Sequence, residues 1–183
     1  MLAAAGTLPA DTIFQPPMGH FTCPAKPYSQ GLEQSVTANS ATYRIVDEVG
    51  FTRVDVEAIP PQLMSEMRKP GMSRALLQFY LQRATVPQVQ AGVKTAALYG
   101  FRYADEQDRT LLHSAIIFPG KSGALVNGKE VDGFRVQTQF LDEKYFYTIS
   151  RLTHADPDLT PNDQLRKTLA DAQQVYTVCT FPH

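Results

Sequence analysis

Alternation of apolar and polar side chains with a period of two residues is the feature that most constrains how this chain folds. It runs through residues 43–59 and returns over residues 95–152. Successive side chains of a β-strand point to opposite faces of the sheet, so this period predicts strands that are half buried. Two strands show it most clearly: Val54 and Val56 alternate with Arg53, Asp55 and Glu57, and Phe134, Val136, Thr138 and Phe140 alternate with Arg135, Gln137 and Gln139. Each predicts one dry face and one wet face.

The order of elements predicts an α+β domain. The predicted strands cover residues 18–23, 43–49, 51–59, 95–103, 109–118, 134–141 and 145–152. The predicted helices cover residues 63–68, 73–83 with Ser73 as N-cap, and 162–178 with Thr160 or Asn162 as N-cap. The polar stretch 28–41 predicts a loop, Gly50 a tight turn or bulge, and the stretch 119–133 a loop with a small hairpin at Asn127-Gly128. Short turns between successive strands imply an antiparallel sheet, and we expect helices on both of its faces, as an α/β/α sandwich.

Length and composition indicate one globular domain. The chain has 183 residues, of which 43% are hydrophobic and 19% charged, a balance that disfavours global disorder. Pro9, Pro16 and Pro17 disfavour regular structure near the start. We therefore predict an extended N-terminal arm over residues 1–17 and a single α+β domain over residues 18–183.

Charge and hydropathy exclude some partners. The net charge is −1 with both signs interspersed, so no broad positive field is present for nucleic acid. No run of 18 or more apolar residues exists, so we expect no membrane span. The Ala-rich start, Met1 to Gly6, is either a frayed terminus or the remainder of a signal region. The second interpretation predicts a periplasmic or secreted protein, and the first leaves a cytoplasmic one open.

The two cysteines, Cys23 and Cys179, are not spaced as metal ligands. They are either buried thiols that act as small hydrophobes or the ends of one disulfide. A bridge closing so long a loop stabilises a chain by roughly 5 kcal/mol in the chain-entropy model.

Few residues in the sequence indicate a catalytic, nucleotide-binding or metal-binding role. His113 shares a predicted strand face with Leu111, Ala115 and Ile117, which indicates a core histidine, although a general base beside a carboxylate is the alternative. Residues 115–122 match a loosened phosphate-loop pattern that ends at Lys121 and Ser122, but the interior is stiff and strand-like and no helix follows. No histidines are spaced for a metal. We expect neither a metal nor a cofactor.

Polar loops and one aromatic run are the candidate contact surfaces. The loops over residues 24–42 and 119–133 are long and glycine-bearing, a setting in which binding residues concentrate. Tyr145, Phe146 and Tyr147 place aromatic rings on both faces of a strand, either in the core or lining an apolar pocket. The candidate ligand- or partner-binding residues are Lys121, Asn127, Tyr147 and His113.

The layout resembles the PsbP-type fold. The resemblance rests on the N-terminal strand Gly19-His-Phe-Thr-Cys-Pro24, the paired strands from Tyr43 to Ile59, a helical segment, an antiparallel meander and a last helix, over about residues 18–180. That fold is shared by photosystem accessory proteins, a Ran-binding nuclear transport factor and bacterial envelope proteins of unassigned role. The resemblance implies a non-catalytic binding or assembly domain of the bacterial envelope, with an unknown protein or small ligand as partner. The alternative is a hydrolase that uses His113 or Cys23.

Overall fold

The computed structural model describes the strands, the four helical segments between residues 61 and 92 and scattered residues near the C-terminus. The described residues are 13–14, 16–24, 31–47, 50–67, 69, 71–106, 109–120, 125–126, 129–130, 133–153, 158–160, 162–163, 166–167, 170 and 180–181. Lys121, Asn127 and Cys179 lie outside them.

Eleven strands and four helical segments are seen in this part of the chain. The strands are β1 (Ile13–Phe14), β2 (Cys23–Pro24), β3 (Gly31–Val36), β4 (Ser40–Asp47), β5 (Gly50–Ala58), β6 (Ala97–Glu106), β7 (Arg109–Phe118), β8 (Leu125–Val126), β9 (Lys129–Glu130), β10 (Gly133–Leu141) and β11 (Tyr145–Thr153). The helical segments are α1 (Pro61–Met67), α2 (Met72–Tyr80), a π-helix (Leu81–Thr85) and α3 (Val86–Gly92).

Seven strands form one antiparallel sheet in the order β3-β4-β5-β11-β10-β7-β6. The chain leaves β5 through the helices and re-enters the sheet at β6, on the far edge. Strands β7, β10 and β11 then fill the space between. The helices therefore cross one face of the sheet, where α2 contacts β7 and β10 and α3 contacts β6.

The two faces of the sheet are covered differently. On the helix face, Leu77 and Leu81 pack against Ile59, Leu112 and Phe146. On the opposite face, an aromatic cluster encloses the strands with residues from both ends of the chain: Phe21, Tyr43, Phe140, Tyr147 and Phe181. The Phe140 and Tyr147 rings stack at 4.8 Å between centroids, and Phe21 stacks on Phe181 at 5.4 Å. This face is what holds the N-terminal segment on the sheet.

The α+β class and the antiparallel sheet are confirmed, whereas a helical layer on both faces stays a prediction. The predicted last helix falls mostly outside the described residues. Its start is described: the Thr160 hydroxyl accepts the Asp163 backbone N–H at 3.2 Å, as an N-cap does. The antiparallel pairs Asp47–Gly50 and Val126–Lys129 agree with the predicted reversals of the chain in these two regions. Gly50 is itself the first residue of β5, and Asn127 and Gly128 lie outside the described residues.

Three local predictions are wrong. No strand covers residues 18–23 as a whole: residues 17–20 form bends, Thr22 makes an isolated bridge, and β2 begins only at Cys23. The stretch 28–41 was expected to be a loop, yet β3 occupies Gly31–Val36 and β4 begins at Ser40. Because β3 is an edge strand whose Gln34, Ser35 and Val36 are exposed, it needs no alternating pattern. Ser73 is not an N-cap, since Gly71 fills that position with a φ of 78°, a left-handed conformation that glycine adopts without strain.

A backbone pairing between residues near the two ends of the chain is relevant to the question of a Cys23–Cys179 disulfide. Thr22 and Thr180 exchange both backbone hydrogen bonds, at 2.9 and 2.8 Å, as an antiparallel pair. One more step of that ladder would oppose Cys23 and Cys179. The next pair of such a ladder is of the type with Cα atoms about 4.5 Å apart, a separation that a disulfide can span.

We predict that Cys23 and Cys179 form a disulfide when the protein is made in an oxidising compartment. The intact mass of protein purified from a bacterial periplasm is then about 2 Da lower than after reduction, because the bridge removes two hydrogens. The Cys23→Ser variant, with one thiol, provides the unbridged control. Alkylation of both cysteines in unreduced, denatured protein would contradict the bridge.

Candidate functional site: a polar cavity beneath the π-helix

Polar side chains cover much of the helix face of the sheet. The pairing register aligns them in two neighbouring cross-strand rows: Thr42, Asp55, Thr148 and Gln139 in one, and Arg53, Ser150, Gln137 and Ser114 in the other. The prediction that the polar face of β10 meets solvent is therefore wrong. Gln137 is 1% exposed and Gln139 0% exposed, because the helices between β5 and β6 cross above them.

A cavity of about 150 Å³ lies between this polar face and the helical segment. The charged and aromatic groups on its wall are Arg53, Asp55, Glu57, Tyr80, Arg135 and Phe146. The helical side adds Ala84 and Thr85 from the π-helix and Gln88 from α3. Irregular π-helical turns occur often at functional sites, and this one forms the roof of the cavity.

Two oppositely charged side chains on the cavity wall, Arg53 and Asp55, form an ion pair with each other. The Arg53 guanidinium contacts Asp55 Oδ1 through Nε at 2.8 Å and through a terminal nitrogen at 2.7 Å. The same oxygen accepts the Thr42 hydroxyl at 2.6 Å. Arg53 and Asp55 thus neutralise each other within the protein.

Arg135 differs from Arg53. It donates one hydrogen bond, to the Ser150 hydroxyl at 2.7 Å, and none of the ion pairs of the described residues includes it. Burial lowers the pKa of the Arg135 guanidinium, the Asp55 charge opposes that effect and the Arg53 charge adds to it. A half-buried cation whose hydrogen bond goes to a neutral hydroxyl is the least compensated charge on the wall.

Glu57 and Tyr80 are the remaining titratable groups on the wall. Loss of water raises the pKa of the Glu57 carboxyl, and the Asp55 charge raises it further. Burial likewise raises the pKa of Tyr80, with a contribution from Glu57. Both shifts disfavour additional negative charge on these two side chains.

Two glutamines beside each other on β10 have different bonding. The Gln139 side-chain nitrogen donates to Thr85 at 3.0 Å and to Thr148 at 3.1 Å, which ties the π-helix to the sheet. The Gln137 amide has no hydrogen-bond partner at either end among the described residues, and neither does the hydroxyl of its cross-strand neighbour Ser114. Buried polar groups of this kind are uncommon in folded proteins.

The residues predicted from sequence lie elsewhere. His113 is on the opposite face of the sheet, half buried, with Nδ1 at 2.9 Å from the Thr138 hydroxyl. It lines a shallow groove of about 230 Å³ at the β6 edge together with Tyr99, Gly100 and Arg102. Lys121 and Asn127 lie outside the described residues, as does the side chain of Cys23. Their proposed roles stay predictions.

Tyr147 is a core residue whose hydroxyl ties two parts of the chain together. It donates to Asp142 Oδ2 at 2.6 Å and accepts the His20 backbone N–H at 2.9 Å. His20 Nδ1 lies 3.5 Å from the same Asp142 oxygen. Burial raises the pKa of Tyr147 far above its ordinary value, and the hydrogen bond to Asp142 raises it further. Tyr147 is 1% exposed, and its hydroxyl is bonded within the protein to His20 and Asp142.

Sequence reasoning missed the cavity because it assigned Arg53, Asp55 and Arg135 to solvent. The alternation of polar side chains within β5 and within β10 was visible in the sequence, but only the pairing of both strands with β11 places the two polar sets on the same face of the sheet. No pattern in residues 81–85 predicts a π-helix instead of an α-helix.

Two kinds of feature, a metal-binding cluster and a membrane-spanning helix, are absent from the described part of the chain. Among the described residues, no three His, Cys, Asp or Glu side chains gather where they could share a metal ion. In the same residues, no helix has both the length and the apolar character that crossing a bilayer requires.

Comparison with known proteins supports the fold class. The chain has a PsbP-like fold. It is similar to the solution structure of cyanobacterial PsbP (CyanoP) from Synechocystis sp. PCC 6803, with a TM-score of 0.57 and 11% sequence identity over 98% of each chain. No family model matches the sequence, and no curated protein matches it. At that identity the similarity describes the fold alone.

The two glutamines of β10 provide a matched test of the polar layer. We predict that Gln137→Met raises the free energy of unfolding by about 1 kcal/mol, because it removes a buried amide without partners and nearly keeps its volume. Gln139→Met lowers it by about 1–3 kcal/mol, since Thr85 and Thr148 lose their shared donor. Urea denaturation of the two variants measures both changes. Equal destabilisation by the two substitutions would contradict this account.

Tyr147 makes stability depend on pH in the alkaline range. Its pKa is raised in the folded protein, so the folded state keeps a proton that the unfolded chain loses near pH 10. The stabilisation is complete below about pH 10 and decreases as the pH rises beyond it. We predict that Tyr147→Phe lowers the free energy of unfolding at neutral pH by about 1.5–3 kcal/mol and flattens the alkaline decline. Tyr99→Phe, at a residue that is 53% exposed, is the control. It leaves the free energy of unfolding at neutral pH and its alkaline decline nearly unchanged.

Proposed function

We propose that this chain is a non-catalytic binding domain that takes up a small ligand in the cavity between the sheet and the π-helix. The observation that carries the proposal is the buried polar face, with the Arg135 guanidinium on the cavity wall. Burying polar groups without full pairing lowers stability, and proteins keep such features chiefly at functional sites. A preformed enclosed space with a few convergent polar groups is the usual form of a small-molecule site.

Binding is favoured over catalysis by where the reactive side chains lie. His113 is engaged with Thr138 and lies on the face of the sheet opposite the cavity. On the cavity wall, the Asp55 carboxylate is held by Arg53 and Thr42. The hydrolase alternative, with His113 or Cys23 in the reactive role, therefore has no observation in its favour.

An accessory or assembly role fits the same domain. Loops within residues 24–42 and 119–133, with Lys121 and Asn127, remain our candidates for contact with a protein partner.

We also propose that the protein is exported, to the periplasm or beyond. The Thr22–Thr180 pairing next to the two cysteines in sequence supports this, because structural disulfides persist in oxidising compartments. A cytoplasmic protein would keep both thiols reduced.

Blocking the cavity tests the proposed function. Amide chemical shifts are recorded while the protein is screened against charged and neutral fragments of up to about ten heavy atoms. We expect saturable shifts at the amides of residues 53–57, 80–88 and 148. Ala84→Trp, which places an indole at the cavity roof, weakens that binding by about tenfold or more, whereas Ala91→Trp on the exposed side of α3 does not.

Two outcomes of this screen would overturn the proposal. One is that no fragment shifts the amides around the cavity. The other is that fragments bind there equally well in the wild-type protein and in the Ala84→Trp variant.

A further inference from the structure

We propose that the cavity selects a small organic carboxylate, with Arg135 as the anchor for the carboxylate group. The inference rests on the proposed function, that the cavity takes up a small ligand, and it adds the chemical class of that ligand. It depends on the bonding of Arg135, the balance of charge around it and the size and lining of the space.

The bonding of Arg135 leaves donors available. A guanidinium has five N–H groups, and the hydrogen bond between Arg135 and Ser150 uses one of them. A planar carboxylate accepts two parallel N–H bonds from such a fork, which is the strongest recognition that an arginine offers to a small ligand. In a concave space that is partly shielded from water, each of these bonds is stronger than at an open surface.

The balance of charge favours an anion. Five titratable groups face the cavity: Arg53, Asp55, Glu57, Tyr80 and Arg135. Arg53 and Asp55 compensate each other, which leaves Arg135 and Glu57. Glu57 is an exposed side chain at the end of β5, so water compensates its charge. Arg135 is half buried, and its one hydrogen bond among the described residues, to Ser150, leaves its other N–H groups available. An anion in the cavity would therefore find unused donors on Arg135.

Size and lining restrict the rest of the ligand. A dry cavity of comparable volume in another protein holds benzene, so about six heavy atoms fit. Ala84 and Phe146 give the wall an apolar part, and the Phe146 ring is itself stacked on Tyr80 at 4.3 Å. A carboxylate with a short hydrocarbon tail matches both parts of this wall, whereas inorganic phosphate matches only the polar part.

Three probes of almost equal size separate the charge of the ligand from its shape. Butyrate, butyramide and butylamine carry a negative, a neutral and a positive head on similar tails. In amide-shift titrations of the wild-type protein, we expect butyrate to bind at residues 53–57 and 148 at least about tenfold more tightly than butyramide. Arg135→Gln removes that preference, so that butyrate and butyramide bind about equally to the variant. Arg74→Gln, at a surface ion pair with Asp105, is the control and preserves the preference.

Three results of these titrations would overturn the carboxylate inference. Equal affinities for butyrate and butyramide in the wild-type protein would overturn the carboxylate inference, and this comparison requires no variant that has to fold. A preference for butylamine, or binding of butyrate that Arg135→Gln does not weaken, would overturn it as well. In all three cases binding at the cavity would still support the proposed function. Absence of any shift around the cavity, with these probes and with the fragment screen, would refute both.

Discussion

The crossover of the chain from β5 to β6 decides what lies inside this protein. Strand β5 is near one edge of the sheet and β6 is at the other, so the helical connection must pass over the strands that later fill the gap. Those strands present Gln137, Gln139 and Thr148 to the helices. A polar sheet face that would otherwise meet water is thereby enclosed, and its hydrogen bonds must be made within the protein.

The two faces of the sheet contribute differently to the molecule. The aromatic face packs ring on ring, with Phe140 and Tyr147 at its centre and the chain ends held against it, which is where burial contributes most to stability. The helix face combines a smaller apolar cluster with polar rows that are only partly paired. Stability supplied by the first face is what allows the second to retain groups that disfavour folding.

Alternation of side chains predicted most of the sheet but could not show which faces meet solvent. The hairpins at residues 43–59 and 134–152 were found because both strands of each carry the pattern. Strand β3 was missed because an edge strand buries too little for its side chains to alternate. Gln137 and Gln139 were assigned to water, since the period of a strand separates its two faces without indicating what covers either of them.

The site is harder to infer than the fold because it depends on particular side chains, whereas the fold depends on the order of elements. A chain with 11% identity to cyanobacterial PsbP can keep the sheet order by preserving strand periodicity and turn positions. It need not keep an arginine at position 135, a serine at position 150 or a threonine in the π-helix. The hydrogen bonds of Arg135 with Ser150 and of Gln139 with Thr85 are therefore particular to these side chains, and the fold fixes only the positions from which they can be made.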